Sequence, residues 1–163
     1  MSSNTLFNRW SNWAPQFQAL LRIVAAWMFM TSGSVKLFGF PYTMMPGAHA
    51  PAAFSQIWFA GVLELVGGAF LLVGLFTRPV AFLLSGEMAV AYFQSHAPKG
   101  FFPGQNGGMA AVLFCFVWLY FSAAGAGAWS IDSMRRRRLA EIRNFESPSR
   151  GRASNIAGTS AGR

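Results

Sequence analysis

Residues 54–93 read FSQIWFAGVLELVGGAFLLVGLFTRPVAFLLSGEMAVAYF. Two apolar runs are joined by Thr77-Arg78-Pro79, and each run carries a single carboxylate near its middle, Glu64 and Glu87. A helix that crosses a bilayer needs about 20 mainly apolar residues. The run at 54–76 has that length. The run at 79–93 approaches it when residues 94–97 extend it toward the interface. Working outward, a third run at 17–40 holds Arg22 and Lys36, and a fourth at 107–129 has no charge. An ionisable side chain near the centre of a spanning helix costs roughly 2.5–3.5 kcal/mol. Four unpaired ones would cost on the order of 10 kcal/mol, as much as a whole domain's stability. Arg22, Lys36, Glu64 and Glu87 are therefore expected to meet inside a helix bundle, and function is to be sought where they meet.

Composition points to the same class. The 163 residues are 53% hydrophobic, 16% aromatic and 11% charged, with mean hydropathy +0.36. A soluble domain carries about 25% charged residues. The expected fold is all-α: a four-transmembrane-helix bundle built from one domain, with the lipid bilayer as its main partner. The formal net charge of +8 does not indicate nucleic acid, because eight of the 13 Lys and Arg residues lie at or after Arg135. That clustering is a topogenic signal flanking the last apolar run.

Arg9, Arg22, Arg78 and the run Arg135, Arg136, Arg137 and Arg138 fall on one side of a four-span topology, with Lys36 and Lys99 near the other. Both termini are thus expected in the cytoplasm, with the loops holding His49 and His96 outside. Ala48-His49-Ala50 resembles a signal-peptidase site, but the preceding apolar region is too long and contains Lys36, so no cleavage is expected. The domain plan is a cytoplasmic or interfacial segment at 1–16, a transmembrane domain at 17–132 and a basic tail at 133–163. The tail turns polar and rich in Ser, Gly and Arg after Arg138, which predicts disorder. A short interfacial helix at 131–145 is the alternative for its first part.

Helical spacing decides which charges can meet. Arg22 and Lys36 are two heptads apart and share a face with Ala25, Ala26, Phe29 and Gly33, separated by about 21 Å along the axis. Glu64 falls on a stripe with Ala60, Gly67, Leu71 and Gly74. Small residues such as Gly33, Gly67, Gly68 and Gly74 let helix backbones approach closely. Glu87 aligns with Gln94, and Asn106 aligns with Ala110, Leu113, Val117 and Tyr120. Counted from the helix ends, Glu64 and Glu87 both lie near the midplane, at depths of about 15 and 12 Å. Two acids and two bases form a neutral set. The set either holds the bundle together as ion pairs, or forms a ligand- or proton-handling site that opens toward the outer loops and includes His96 and Asn106.

Much chemistry is missing. Cys115 is the single cysteine, so no dithiol can cycle within the chain, and it reads as a small core residue. His49 and His96 are the only histidines; no Cys/His cluster points to zinc or iron–sulfur, and no metal is expected. No glycine-rich nucleotide loop is present.

Together, several motifs resemble the DoxX family of small bacterial four-helix membrane proteins, related to DoxD. Leu20-Leu21-Arg22 followed by Ser32-Gly33-Ser34-Val35-Lys36-Leu37-Phe38-Gly39 is similar to that family's first helix. Gly61-Val62-Leu63-Glu64-Leu65-Val66-Gly67-Gly68 and Gly74-Leu75-Phe76-Thr77-Arg78 resemble its second helix and turn. Gly86-Glu87-Met88-Ala89-Val90-Ala91-Tyr92-Phe93, His96, Pro98, Gly100-Phe101-Phe102-Pro103 and Asn106-Gly107-Gly108 resemble the third helix and outer loop. Gly125-Ala126-Gly127-Ala128-Trp129-Ser130-Ile131-Asp132 looks like the family's ending. The resemblance covers 20–132. It implies a bacterial cytoplasmic-membrane, multi-pass protein, often labelled an oxidoreductase, with a redox partner protein or a homo-oligomer as its assembly. The site residues it nominates are Arg22, Lys36, Glu64, Glu87, His96 and Asn106. Many relatives carry an acid directly after Asn-Gly-Gly, where this chain has Met109. With no redox centre in the chain and no covalent cofactor, an oxidoreductase role needs a mobile carrier. A quinone fits an apolar, aromatic-lined bundle, with His or Lys polarising its carbonyls and Glu moving protons. The alternatives are a non-catalytic membrane scaffold or chaperone for a partner enzyme, and a small-solute or proton pathway.

Overall fold

The computed structural model describes residues 3–43 and 51–146. Among these, six helices and no strand occur: α1 (Ser3–Phe38), α2 (Gln56–Val73), α3 (Thr77–Ala91), α4 (Pro103–Asn106), α5 (Met109–Ala124) and α6 (Ile131–Glu146). A π-helical turn, Tyr92–His96, and a 3-10 turn, Ala97–Lys99, continue α3 toward α4. The expected segment at 1–16 contributes to the first helix, which begins at Ser3 and runs through Pro15. At the tail, α6 carries helical structure to Glu146, as in the helical alternative for 131–145 and past the expected onset of disorder after Arg138; Met134, Leu139, Ile142 and Phe145 recur along it at helical spacing. Residues 44–50, with His49, and 147–163 lie outside the described residues.

Local sequence sets the helix ends. Ser55 caps α2, its hydroxyl accepting from the Trp58 N–H at 3.2 Å. Gly74 ends α2 in the left-handed region, at φ 67°, which a glycine adopts without a steric penalty. Its N–H donates to the Leu71 carbonyl, and the Leu75 N–H donates to that of Phe70. The α2–α3 connection is consequently only three residues long.

Helix α1 packs on α2, α2 on α3 and α3 on α5. Phe29 of α1 closes the circuit: its ring centroid lies 5.3 Å from those of both Phe114 and Trp118 on α5. The core comprises Ala25, Ala26 and Phe29 of α1, Leu71 of α2, Ala81, Leu84 and Met88 of α3, and Ala111, Trp118 and Phe121 of α5. The buried stripe of α2 is Gly61, Glu64, Gly68 and Leu71, rotated slightly from the sequence-derived one but centred on the same acid. On α5 the face carrying Leu113 and Tyr120 points outward, and Trp118 and Phe121 face inward. A helix apolar on every side has no amphipathic signal to fix its rotation.

The outer surface of the helices is apolar, with Trp27, Val66, Phe82 and Phe116 all exposed. Two helical stretches, Trp10–Phe38 and Gln56–Val73, are long and apolar enough to cross a membrane, and only 33% and 28% of their apolar windows are buried inside the protein. The core helix of a soluble protein would be mostly covered. Met109–Ala124 is a shorter apolar helix.

The α1–α2 crossing rests on glycine. A Cβ on Gly33 would stand 2.7 Å from both the Gly61 carbonyl oxygen and the Leu65 nitrogen, which are backbone atoms that cannot rotate away. A Cβ on Gly86 would meet nothing within 4 Å. Gly33→Ala should therefore cost about 1–3 kcal/mol by forcing the helices apart. Gly86→Ala should be neutral or stabilising by up to about 1 kcal/mol. Thermal unfolding in detergent, followed by circular dichroism, measures both.

Candidate functional site

The Gly33–Gly61 crossing builds the site. Lys36 lies three residues beyond Gly33, and Glu64 three beyond Gly61, so each charge sits one turn from the point of closest approach. Lys36 Nζ donates to Glu64 Oε1 at 2.6 Å. Glu64 is enclosed, with 2% of its side-chain surface exposed, against 21% for Lys36. Lys36 also stands in the last turn of α1, where a cation is favoured by the helix dipole. The second carboxylate oxygen, Glu64 Oε2, is buried without a hydrogen-bond partner. The Ser32 hydroxyl stands beside this carboxylate but outside hydrogen-bond geometry to Oε2.

Glu87 on α3 is the more exceptional group. Both of its carboxylate oxygens are buried and neither has a hydrogen-bond partner. It lies within electrostatic reach of Glu64, which repels it, and of Lys36, which attracts it. The cluster thus holds one cation and two acids. With both acids ionised it carries a net negative charge; with one proton on the acids it is neutral. An orphaned carboxylate in an apolar setting is costly, and such groups mark functional positions in membrane helices.

Arg22 does not join this cluster. It is 0% exposed, and its guanidinium donates its hydrogen bonds to backbone carbonyls, with Asp132 within electrostatic reach. Nε donates to the Ala126 carbonyl at 2.9 Å, Nη2 to Trp129 at 2.9 Å, and Nη1 to Leu72 at 2.7 Å and to Leu71. The expectation that four charges would pair in one network is therefore corrected. Carbonyls freed at the C-terminal end of α2 and in the turn after α5 take the place of an acid.

Asp132, which the sequence did not single out as a site residue, completes this end of the molecule. Phe76 precedes α3 in a left-handed conformation, φ 49°, without a side-chain cap of its own. Asp132 supplies one from 55 residues away: its Oδ1 accepts from the Phe76 N–H at 3.0 Å and its Oδ2 from the Thr77 N–H at 2.9 Å. Its own N–H donates to the Gly74 carbonyl at 3.0 Å. Burial would raise this carboxyl, but the N–H donors of Thr77 and Phe76 and the charge of Arg136 outweigh it and hold it below the ordinary aspartate value. An acid at an N-cap was visible as a residue type, but nothing in sequence order links it to α3.

Asn106 and His96 belong to the loop at the other end. Asn106 Nδ2 donates to the Gly100 carbonyl at 2.6 Å, and its Oδ1 accepts from the Gly108 N–H at 2.7 Å. His96 Nδ1 lies 3.2 Å from the Asn106 carbonyl oxygen, and the Tyr92 hydroxyl donates to the Phe101 carbonyl. The π-helical turn at Tyr92–His96 continues the helix of Glu87 with a wider turn, and His96 at its end meets the loop. Such turns concentrate at functional sites. Cys115 is free; its carbonyl accepts from Ser85 Oγ at 2.8 Å and ties α5 to α3. Among the described residues no group of three or more His, Cys, Asp and Glu is placed to hold a metal.

An all-helical fold with two apolar helices long enough to cross a membrane, and charges buried between helices, is consistent with a membrane protein. The chain belongs to the DoxX family, whose model matches residues 17–97. It is similar to an uncharacterized protein of Haemophilus influenzae, 46% identical over 129 residues, covering 77% of this chain and 96% of that one. A second uncharacterized protein of that organism is 27% identical over 124 residues, covering 72% of this chain and 82% of the relative. No solved structure matches the chain significantly.

Two outcomes follow from the geometry. Lys36→Met or Glu64→Gln alone should cost about 3 kcal/mol, the low end for a buried pair because Lys36 is partly exposed. The double change should recover much of that loss in a double-mutant cycle of unfolding. Asp132→Ala should cost about 1–2 kcal/mol through the lost cap. Because the folded carboxyl is depressed, its contribution is complete above the unfolded value and fades as pH falls below about 4. Melting temperatures across that range should drop in the wild type, and this component of the drop should be missing in Asp132→Ala.

Proposed function

We propose that this chain is a multi-pass protein of the bacterial cytoplasmic membrane, with four spanning helices and both termini on the cytoplasmic side. In it, the Lys36–Glu64–Glu87 cluster handles a proton for a quinone, and the protein acts as a redox-associated subunit. The observation that carries this is the Glu87 carboxylate, whose two oxygens are enclosed without a partner beside an ion pair that leaves Glu64 Oε2 open as well. A carboxyl group so placed is ready to give a hydrogen bond or a proton to a carbonyl-type acceptor. A quinone supplies two-electron, two-proton chemistry. Glu87 holds the exchangeable proton, Glu64 shares the negative charge left when that proton departs, and Lys36 balances it.

The scaffold alternative is favoured by a different observation. Arg22 and Asn106 direct their polar groups to backbone carbonyls and N–H groups, which is architecture rather than ligand chemistry. That applies to the two ends of the bundle and leaves the midplane cluster unexplained.

Glu87→Leu tests the proposal, since it keeps a side chain of similar size and removes both the hydrogen-bond donor and the proton site. Protein purified in mild detergent should carry quinone detectable by mass spectrometry. The variant should keep its helix content and lose about fivefold of that quinone, as expected when the hydrogen bond of a neutral carboxyl group is removed. Wild-type protein that retains no quinone, or a folded variant that retains as much, favours the scaffold.

A further inference from the structure

Helix α6 begins at the Asp132 cap and presents a second, separate feature. A groove of about 290 Å³ opens where α6 meets the start of α3, lined by Phe76, Pro79, Leu139 and three arginines, Arg78, Arg135 and Arg136. The Arg135 guanidinium lies over the Phe76 ring, 5.7 Å from its centroid. The acid in this groove is Asp132, and both of its oxygens are already taken by the backbone of α3. Among the described residues no ion pair within 4 Å engages the three arginines, and Arg136 acts on Asp132 only at longer range. The groove therefore has basic walls, an apolar floor and an excess of positive charge.

The rest of α6 says what adjoins it. Met134, Leu139, Ile142 and Phe145 recur at three- and five-residue steps on one broad side of the helix, and all are exposed. Arg136, Arg137 and Arg143 lie at other angles around it, while Arg135 and Arg138 fall between members of the apolar side, where long arginine stems can run beside it to the interface. A basic amphipathic helix directly after an apolar helix lies in the membrane interface, with its apolar side among acyl chains and its cations at headgroup level. Leu139 belongs both to that side and to the groove, so the groove is continuous with the lipid-facing surface.

We infer that Arg78, Arg135 and Arg136 form a binding site for the phosphate-bearing headgroup of an anionic phospholipid, with α6 lying in the interface beside it. Three guanidinium groups can donate to the oxygens of a phosphodiester and to the hydroxyls of its headgroup, and the acyl chains continue over Leu139 and the α6 stripe. This rests on the membrane embedding of the chain and is independent of any quinone.

Full-length protein in mild detergent, mixed with phosphatidylglycerol and phosphatidylcholine and examined by native mass spectrometry, provides the test. Wild type should retain phosphatidylglycerol over phosphatidylcholine by about tenfold or more. The triple change Arg78→Gln, Arg135→Gln, Arg136→Gln should abolish that preference. The triple change Arg137→Gln, Arg138→Gln, Arg143→Gln removes the same charge outside the groove and should keep it within about twofold. Equal loss in both triples means diffuse attraction and overturns the site, as does no loss in either. Displacement of the lipid by excess inorganic phosphate overturns the lipid assignment in favour of a free-phosphate site. Photo-reactive phosphatidylglycerol should label wild-type peptides spanning 76–79 and 132–139, a measurement that depends on no variant; labelling confined to other segments overturns the proposal. Quinone measured in the same samples should be unchanged by either triple, which keeps this proposal separable from the redox one.

Discussion

A guanidinium withdrawn from water has to find its acceptors within the protein, and the arrangement at one end of this molecule follows from Arg22 doing so. Its donors reach the last carbonyls of α2 and two carbonyls of the turn after α5. Those α2 carbonyls lie in the last turn of the helix, where carbonyls lack partners within it; Leu71 also accepts from the Gly74 N–H that ends it. One side chain on α1 therefore joins the end of α2 to the connection leading into α6. Asp132, placed by that connection, then caps α3. Arg22 binds carbonyls and Asp132 binds N–H groups, so the negative end of one helix and the positive end of the next are both satisfied within a few residues.

The second constraint is steric. Gly33 and Gly61 let the backbones of α1 and α2 touch, and only that approach brings Lys36 within 2.6 Å of Glu64. In a bilayer, apolar contact between helices gains nothing from expelling water, so close packing and polar contacts carry the association. The ion pair is thus a consequence of small residues one turn away. Glu87 sits differently. It approaches from α3 without a donor of its own, and nothing in the fold requires an acid there. Arg22, Asn106 and Asp132 each have an evident architectural use, and Glu87 does not.

The loop at the opposite end is held by a short polar set. Asn106 bridges Gly100 and Gly108, Tyr92 reaches Phe101, and His96 adjoins the Asn106 carbonyl. This folds residues 97–108 over the bundle without a long helix. The α6 end, by contrast, leaves its arginines unpaired among the described residues and its apolar stripe exposed. The two ends differ in kind: one is closed by its own hydrogen bonds, and the other presents charge and apolar surface to its surroundings.

Hydrophobic length and the spacing of glycine and charge were enough, in sequence alone, to indicate helices that bury Arg22, Lys36, Glu64 and Glu87 in an apolar setting. Lys36 and Glu64 were legible as opposite charges on neighbouring spans, each on a face with small residues. Three things were decided only by the tertiary structure. Arg22 found carbonyls rather than carboxylates, because unsatisfied acceptors at a helix end carry no side-chain label in a sequence. Asp132 reached α3 across 55 positions, a distance over which local pattern holds no information. The rotation of α5, which buries Trp118 and turns Leu113 outward, was invisible in a helix apolar on every side; aromatic packing against Phe29 chose it. Periodicity records which residues can share a face, and only packing decides which face is turned inward.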